Sequence, residues 1–202
     1  AEIDHLVRGV IAAGTPVTLR VYGQGGPGSC RSDLMLPLAP LDRVKAETIV
    51  ATVHSTDGAK TATAASLRAT AADLANATGA KRVVLITDGE ENCGGDVNAE
   101  IATLRASGID VELDVVGFAV DSPASGRTFE KWAGLGGGRD YEARDPVTLD
   151  TALRAAMTEH FDVVDASGAL FASGDVAGPA VSVPPGHYVV PLRCGPRISS
   201  GL

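Results

Sequence analysis

The sequence predicts an α/β fold: a doubly wound, mostly parallel sheet flanked by helices, with a small all-β module at its C-terminal end. Three observations predict it. Strand-like and helix-like segments alternate from about residue 17 to residue 159. One strand, Val83-Val84-Leu85-Ile86, is an uninterrupted apolar run, the pattern of a central parallel strand covered on both faces. After His160 the pattern changes to short alternating strands separated by turns. The expected division is residues 1–159 for the α/β domain and 160–202 for the module.

In chain order, Ile3, Leu6, Val7, Val10 and Ile11 recur at helical spacing, so the chain as given opens in an amphipathic helix that Gly14 and Pro16 end. Val17, Leu19 and Val21 alternate with polar neighbours as a strand, and Leu34–Leu38, with Pro37 inside it, reads as a short edge strand. Helices are expected through Leu41, Val44 and Ile49, and from about Thr61 through Leu67 and Leu74 to Gly79. Asp96 can cap a helix through Ile101 and Leu104, and Ile109–Phe118 is a second long strand. Phe129, Trp132 and Ala133 mark a short helix closed by glycines, Tyr141 a brief strand, and Asp145-Pro146 the start of a last helix. In the module, strands are expected at Phe161–Val164, Leu170–Ala172, Val181–Val183 and Tyr188–Leu192.

Composition narrows the function. Of 202 residues, 17 are basic and 25 acidic, a net charge of −8, which argues against a partner that tracks nucleic-acid phosphates. Aromatic residues are 4%, too few to supply stacking platforms. No apolar run approaches the roughly 18 to 20 residues of a membrane span, and the N-terminus has no basic flank before an apolar stretch, so neither span nor signal peptide is expected in the chain as given. Cys30, Cys93 and Cys194 lack Cys-x-x-Cys spacing and the four histidines are scattered, which disfavours a zinc cluster. The glycine runs at 25–28 and 134–138 do not join a strand to a helix as a phosphate cradle does, and no nucleophile with an adjacent base is visible.

The chemistry-bearing residues gather where parallel strands end. Asp88 directly follows the Val83–Ile86 run, with Glu90, Glu91 and Asn92 close behind. The preceding loop, Ser55 to Thr61, adds hydroxyls and Asp57. Hydroxyl and carboxylate oxygens without thiolate or imidazole select a hard divalent ion: Mg²⁺, with Mn²⁺ or Ca²⁺ as alternatives. The bland reading makes Thr61 and Asp57 helix caps and Asp88 a solvated loop residue.

Val-Val-Leu-Ile-Thr-Asp-Gly-Glu-Glu at 83–91, the stretch from Gly58 to Leu67 and Val115-Val116-Gly117-Phe118 closely resemble the von Willebrand factor A-type domain, above all its bacterial, exported subgroup. The resemblance covers about residues 1–159. It implies a metal-ion-dependent adhesion site at the top of the sheet, where a divalent ion keeps one position open for an acidic side chain of a protein partner. Thr61 matches the threonine of the second metal loop, although Ala62 replaces the proline that usually follows, and Asp88 matches the aspartate of the third. Asp57, Glu90 and Glu91 stand at the periphery. The first metal loop, Asp-x-Ser-x-Ser after a central strand, is not matched, so the expectation is that the natural protein is longer or that another chain fills the slot. Asp165-Ala166-Ser167-Gly168-Ala169 looks like a displaced copy of that loop but is better read as a β-turn.

The resemblance also implies a Cys30–Cys93 disulfide, since both positions match cysteines typical of the subgroup; two buried free thiols are the alternative. Such a bond would point to a periplasmic or secreted location. Cys194 is left over. The function implied is non-enzymatic, metal-assisted protein binding. The rivals are a structural assembly module with a vestigial metal site, and a metal-dependent hydrolase using Asp88 and Glu90.

Overall fold

The computed structural model describes residues 11–54, 56–107, 111–120, 122–176 and 178–193, with backbone alone at 192 and 193. The helix expected over residues 3–11 therefore falls almost wholly outside the described residues, as does Cys194.

Strand β1 (Pro16–Tyr22) pairs antiparallel with β2 (Ser32–Pro40). The second strand is longer than expected, and Pro37 is accommodated because the register shifts between Val17 and Leu19, leaving it opposite a bulge. Asp42 caps helix α1 (Arg43–Val50) by accepting from the Lys45 amide at 3.1 Å. Helix α1 buries Ala46 against Leu36 and Leu41.

A second, parallel sheet has the order β3 (Lys81–Thr87), β4 (Val111–Phe118), β5 (Gly137–Ala143). Helices α2 (Thr63–Asp73), α3 (Val97–Ala106), α4 (Pro123–Gly136) and α5 (Pro146–Met157) flank it. On one face Leu113 and Val115 pack with Leu67, Ile101, Phe129 and Trp132 from α2, α3 and α4. On the other, Val116 packs with Leu149, Leu153 and Ala156 of α5. Asp96 caps α3, and Asp145 forms a capping box with Thr148 at the start of α5. Helix α4 is not short: Ser122 caps it ahead of Pro123, and Gly137, at φ 75°, ends it.

Strand β3 is covered on both faces, as its apolar run predicts, with Val83 and Leu85 on one side and Val84 and Ile86 on the other, and β4 is buried from Val111 to Gly117. Among the described residues β3 pairs only with β4, and its outer edge borders a groove of 510 Å³ whose opposite wall is β1.

The C-terminal residues form a third sheet, β7 (Leu170–Asp175), β6 (His160–Val164), β8 (Leu192–Arg193), all antiparallel. The β6–β7 turn is the Asp165–Gly168 segment: the Asp165 carboxylate accepts from the Ser167 and Ala169 amides, and Gly168 takes φ 85°. Val181–Val183 is not a strand, because Pro179 before it and Pro184-Pro185 after it withhold ladder donors. Tyr188–Leu192 contributes only the Val164–Val189 bridge and the first residue of β8.

Candidate metal-binding edge of the sheet

Three loops interlock above the carboxyl ends of β1 and β3. The loop after β1 bonds to the loop before α2, the Gly28 amide donating to the Gly58 carbonyl (2.7 Å) and the Lys60 amide to the Ser29 carbonyl (2.9 Å). Cys30 and Cys93 form a disulfide across a Cα–Cα distance of 5.8 Å, tying the loop after β1 to the loop after β3. The Thr61 amide donates to the Asn92 side-chain oxygen at 2.7 Å, and the Asn92 amide donates to the Thr61 carbonyl at 3.2 Å.

Thr61 and Asp88 line the same groove, between β1, α2 and β3. The Thr61 hydroxyl lies 3.8 Å from where a Cβ on Gly89 would stand, so the second and third loops meet at these residues. Thr61 is not the cap of α2. That position is Ala62, without a side-chain bond, and the helix start is served from the other loop, where the Glu91 carboxylate accepts from the Ala64 amide at 2.7 Å. Its second oxygen accepts from the Cys93 amide at 2.6 Å. Glu91 is thereby committed to backbone donors. Asp57 and Glu90 are exposed and do not line the groove. Ser55 lies outside the described residues.

Sequence reasoning missed Tyr22. Its hydroxyl donates across the groove to the Ile86 carbonyl at 2.8 Å, and burial, with the charges of Asp88 and Glu91 adding, pushes its pKa up to about 12. It stays a neutral donor at physiological pH. Beside it, the Thr63 hydroxyl is fully buried with no hydrogen-bond partner among the described residues. No periodicity in the sequence marks either residue.

The donor set can be tested for fit to an ion. One hydroxyl and one carboxylate facing a common space suit Mg²⁺ or Mn²⁺, but among the described residues no group of three or more His, Cys, Asp or Glu side chains converges. Thr61 and Asp88 thus fit as part of a shell of about six oxygens.

A separate polar cluster lies under the opposite face of the sheet. The Arg82 guanidinium sits 3.5 Å from Asp114 and donates to the carbonyls of Ala156 and Thr158. The other Asp114 oxygen accepts from the Arg139 amide at 2.8 Å. Nearby, buried His160 bonds through Nδ1 to Asp175 (2.6 Å) and lies 3.4 Å from the Tyr141 hydroxyl. Glu112 and Asp114, two charges at period-two spacing in an apolar run, were the available signal.

No family model matches the chain. It is 47% identical over 66 residues to the uncharacterised protein YwmD of Bacillus subtilis, 33% of this chain and 29% of that protein. Among solved structures, a von Willebrand factor type A protein from Catenulispora acidiphila is 20% identical with a TM-score of 0.58, covering 83% of this chain and 40% of that one. Proximal thread matrix protein 1 of the mussel byssus, solved with a zinc-occupied metal-ion-dependent adhesion motif, gives 18% and 0.59, over 81% and 42%. An aerotolerance-related membrane protein of Bacteroides fragilis gives 17% and 0.57, over 77% and 84%. The chain thus spans less than half the length of the first two structures and under a third of YwmD.

Proposed function

We propose that this von Willebrand factor A-type fold works as a metal-ion-dependent protein-binding domain, in which a divalent cation at the top of the sheet is completed by a carboxylate of a protein partner. The observation that carries the reading is the convergence of Thr61 and Asp88 on one groove mouth, held by the paired Thr61–Asn92 bonds and the Cys30–Cys93 disulfide. Thr61 and Asp88 would hold the ion, Mg²⁺ by donor type, with Mn²⁺ or Ca²⁺ as substitutes. When bound, the ion supplies the positive charge that makes a visiting Asp or Glu a favourable ligand.

The residues around it do the rest. Glu91 anchors the start of α2, so Thr61 is presented from a fixed helix end. Asn92 sets the spacing between the two loops. The mussel protein's occupied motif supports metal binding on this fold, and the role is non-catalytic, as is typical of von Willebrand A domains. We place the α/β portion at residues 1–159 and the β module at 160–202, and the protein outside the cytoplasm, in the periplasm or secreted, where a disulfide persists.

Calorimetry tests the reading. Mg²⁺ and Mn²⁺ should give binding heat that Asp88→Ala abolishes while the melting temperature stays within about 2 °C, since Asp88 is exposed. Absence of heat with either ion would favour a second reading, a structural assembly module with a vestigial metal site. That reading draws on the lack of a third converging acidic, His or Cys ligand among the described residues.

A further inference from the structure

The two halves of the Cys30–Cys93 bond each stand one residue from a hydrogen bond to the stretch that presents Thr61. Ser29, just before Cys30, accepts through its carbonyl from the Lys60 amide at 2.9 Å, and Asn92, just before Cys93, accepts through its side chain from the Thr61 amide at 2.7 Å. Chain and bonds thus close a ring that runs from Cys30 and Ser29 to Lys60 and Thr61, on to Asn92 and Cys93, and back through the sulfur bridge. Among the described residues no hydrogen bond or ion pair joins the loop after β1 to the loop after β3, so the bridge is their direct tie. Three consecutive residues of the third loop are anchors: Glu91 ties the start of α2, Asn92 ties Thr61, and Cys93 ties the loop after β1. Movement of Cys93 is therefore felt at Thr61.

The bridge is reachable from water. Cys30 is exposed and Cys93 half-buried, and exposed disulfides are the labile, regulatory kind. Once cut, the loops have room to relax, because Gly28 and Gly94 on its flanks hold φ 76° and 83° and leave those values without a side-chain barrier. The core beneath uses neither cysteine: Ile101, Leu113, Val115, Phe129 and Trp132 pack without them. Reduction loosens the edge and leaves the sheet standing.

We infer that Cys30–Cys93 is a reversible thiol switch, opened by a dithiol reductant, that sets the spacing of the second and third loops and through it the affinity for the cation; the affinity part rests on the cation reading above. One thiolate of the dithiol attacks the Cys30 sulfur, the Sγ–Sγ bond breaks, and its electron pair leaves on Cys93, which takes a proton from water. The second thiolate of the dithiol attacks the mixed disulfide and expels Cys30, which is protonated in turn. Two electrons and two protons pass to the protein, and the dithiol ends as its own disulfide.

The test compares the full chain oxidised, the same chain reduced with dithiothreitol that is then removed without air, and a Cys30→Ser, Cys93→Ser variant. Amide hydrogen exchange read by NMR comes first. Exchange at Lys60, Thr61 and Ala64 should quicken by at least about tenfold on reduction, while Leu113 and Val115 keep their oxidised rates. Mg²⁺ calorimetry comes second, and the reduced form should bind at least about tenfold more weakly, as metal sites do when a residue that orients a ligand is lost. The variant should match the reduced form in both readouts and ignore the dithiol, and oxidised dithiothreitol should return the reduced chain to its first state. If the variant fails to fold, the reduced and reoxidised parent carry the comparison. A bridge that excess dithiothreitol leaves intact in the folded chain, unchanged exchange at the three amides, or equal loss of protection at Leu113 and Val115 would each overturn the inference. Equal, measurable Mg²⁺ affinity in the two forms would overturn it too and leave the cation reading standing. If neither form gives heat with Mg²⁺ while exchange responds as stated, the cation reading alone falls and the loop switch stands.

Discussion

Asn92 and Thr61 are joined twice, side chain to backbone at 2.7 Å and backbone to backbone at 3.2 Å, so one residue fixes how far apart the second and third loops stand. Replacing Asn92 by Ala removes the shorter bond and keeps the other. We expect a loss of about 0.5–1.5 kcal/mol in urea unfolding and a weaker Mn²⁺ isotherm than that of the parent protein. A stability loss with an unaltered isotherm would separate Asn92 from the site.

Glu91 serves two backbone amides at once, those of Ala64 and Cys93. Glu91→Ala leaves both without their acceptor and should cost about 1–3 kcal/mol, whereas Glu91→Gln keeps an oxygen for one of them and should cost less. Equal costs would mean that the second bond contributes nothing.

The Cys30–Cys93 bond spans 63 residues. On the chain-entropy model its removal in a Cys30→Ser, Cys93→Ser double variant costs roughly 4 kcal/mol. Thermal unfolding with and without reductant checks this: the reductant should lower the parent melting temperature and leave that of the double variant where it is.

Gly95 underlies the start of α2, and a Cβ there would fall within 2.3 Å of the Ala64 Cβ. Gly95→Ala should destabilise by about 1–3 kcal/mol, and adding Ala64→Gly should recover more than half of that loss beyond the glycine's own helix penalty. Purely additive losses in the double-mutant cycle would rule out the contact as the cause.

Asp114 has 0% exposure, and burial raises its carboxyl above the ordinary 3.8. The folded chain then holds this proton more tightly than the unfolded one. Between the ordinary value and the raised one the native state carries the extra proton, so this group lowers stability as pH climbs through that window. Asp114→Asn keeps an acceptor for the Arg139 amide and should erase that part of the slope, as read by urea unfolding from acidic to neutral pH. A slope identical to the parent's would refute the assignment.

The alternation of strands and helices was legible in the sequence because each element carries its own period and its own cap, as at Asp96 and Asp145. The cover of β3 on both faces was legible as well, because an uninterrupted apolar run leaves no polar face for water; which strand each edge meets depends on distant residues and was not. Asp88 and Thr61 were legible from their place at strand and loop ends, and the structure sets them on one groove. Tyr22 and the Arg82–Asp114 contact depend on partners 64 and 32 residues away, the second found by subtracting the residue numbers, and no local pattern encodes them.

The charges on β4 have one more consequence. Glu112 and Asp114 share one side of the strand while Leu113 and Val115 share the other. Sliding β4 by a single residue would thrust both acids into the greasy layer of Phe129 and Trp132 and turn the leucine toward Arg82. An arrangement that gives up some stability to hold ions in the interior thus works as a lock against misthreading, because every neighbouring alignment is far worse.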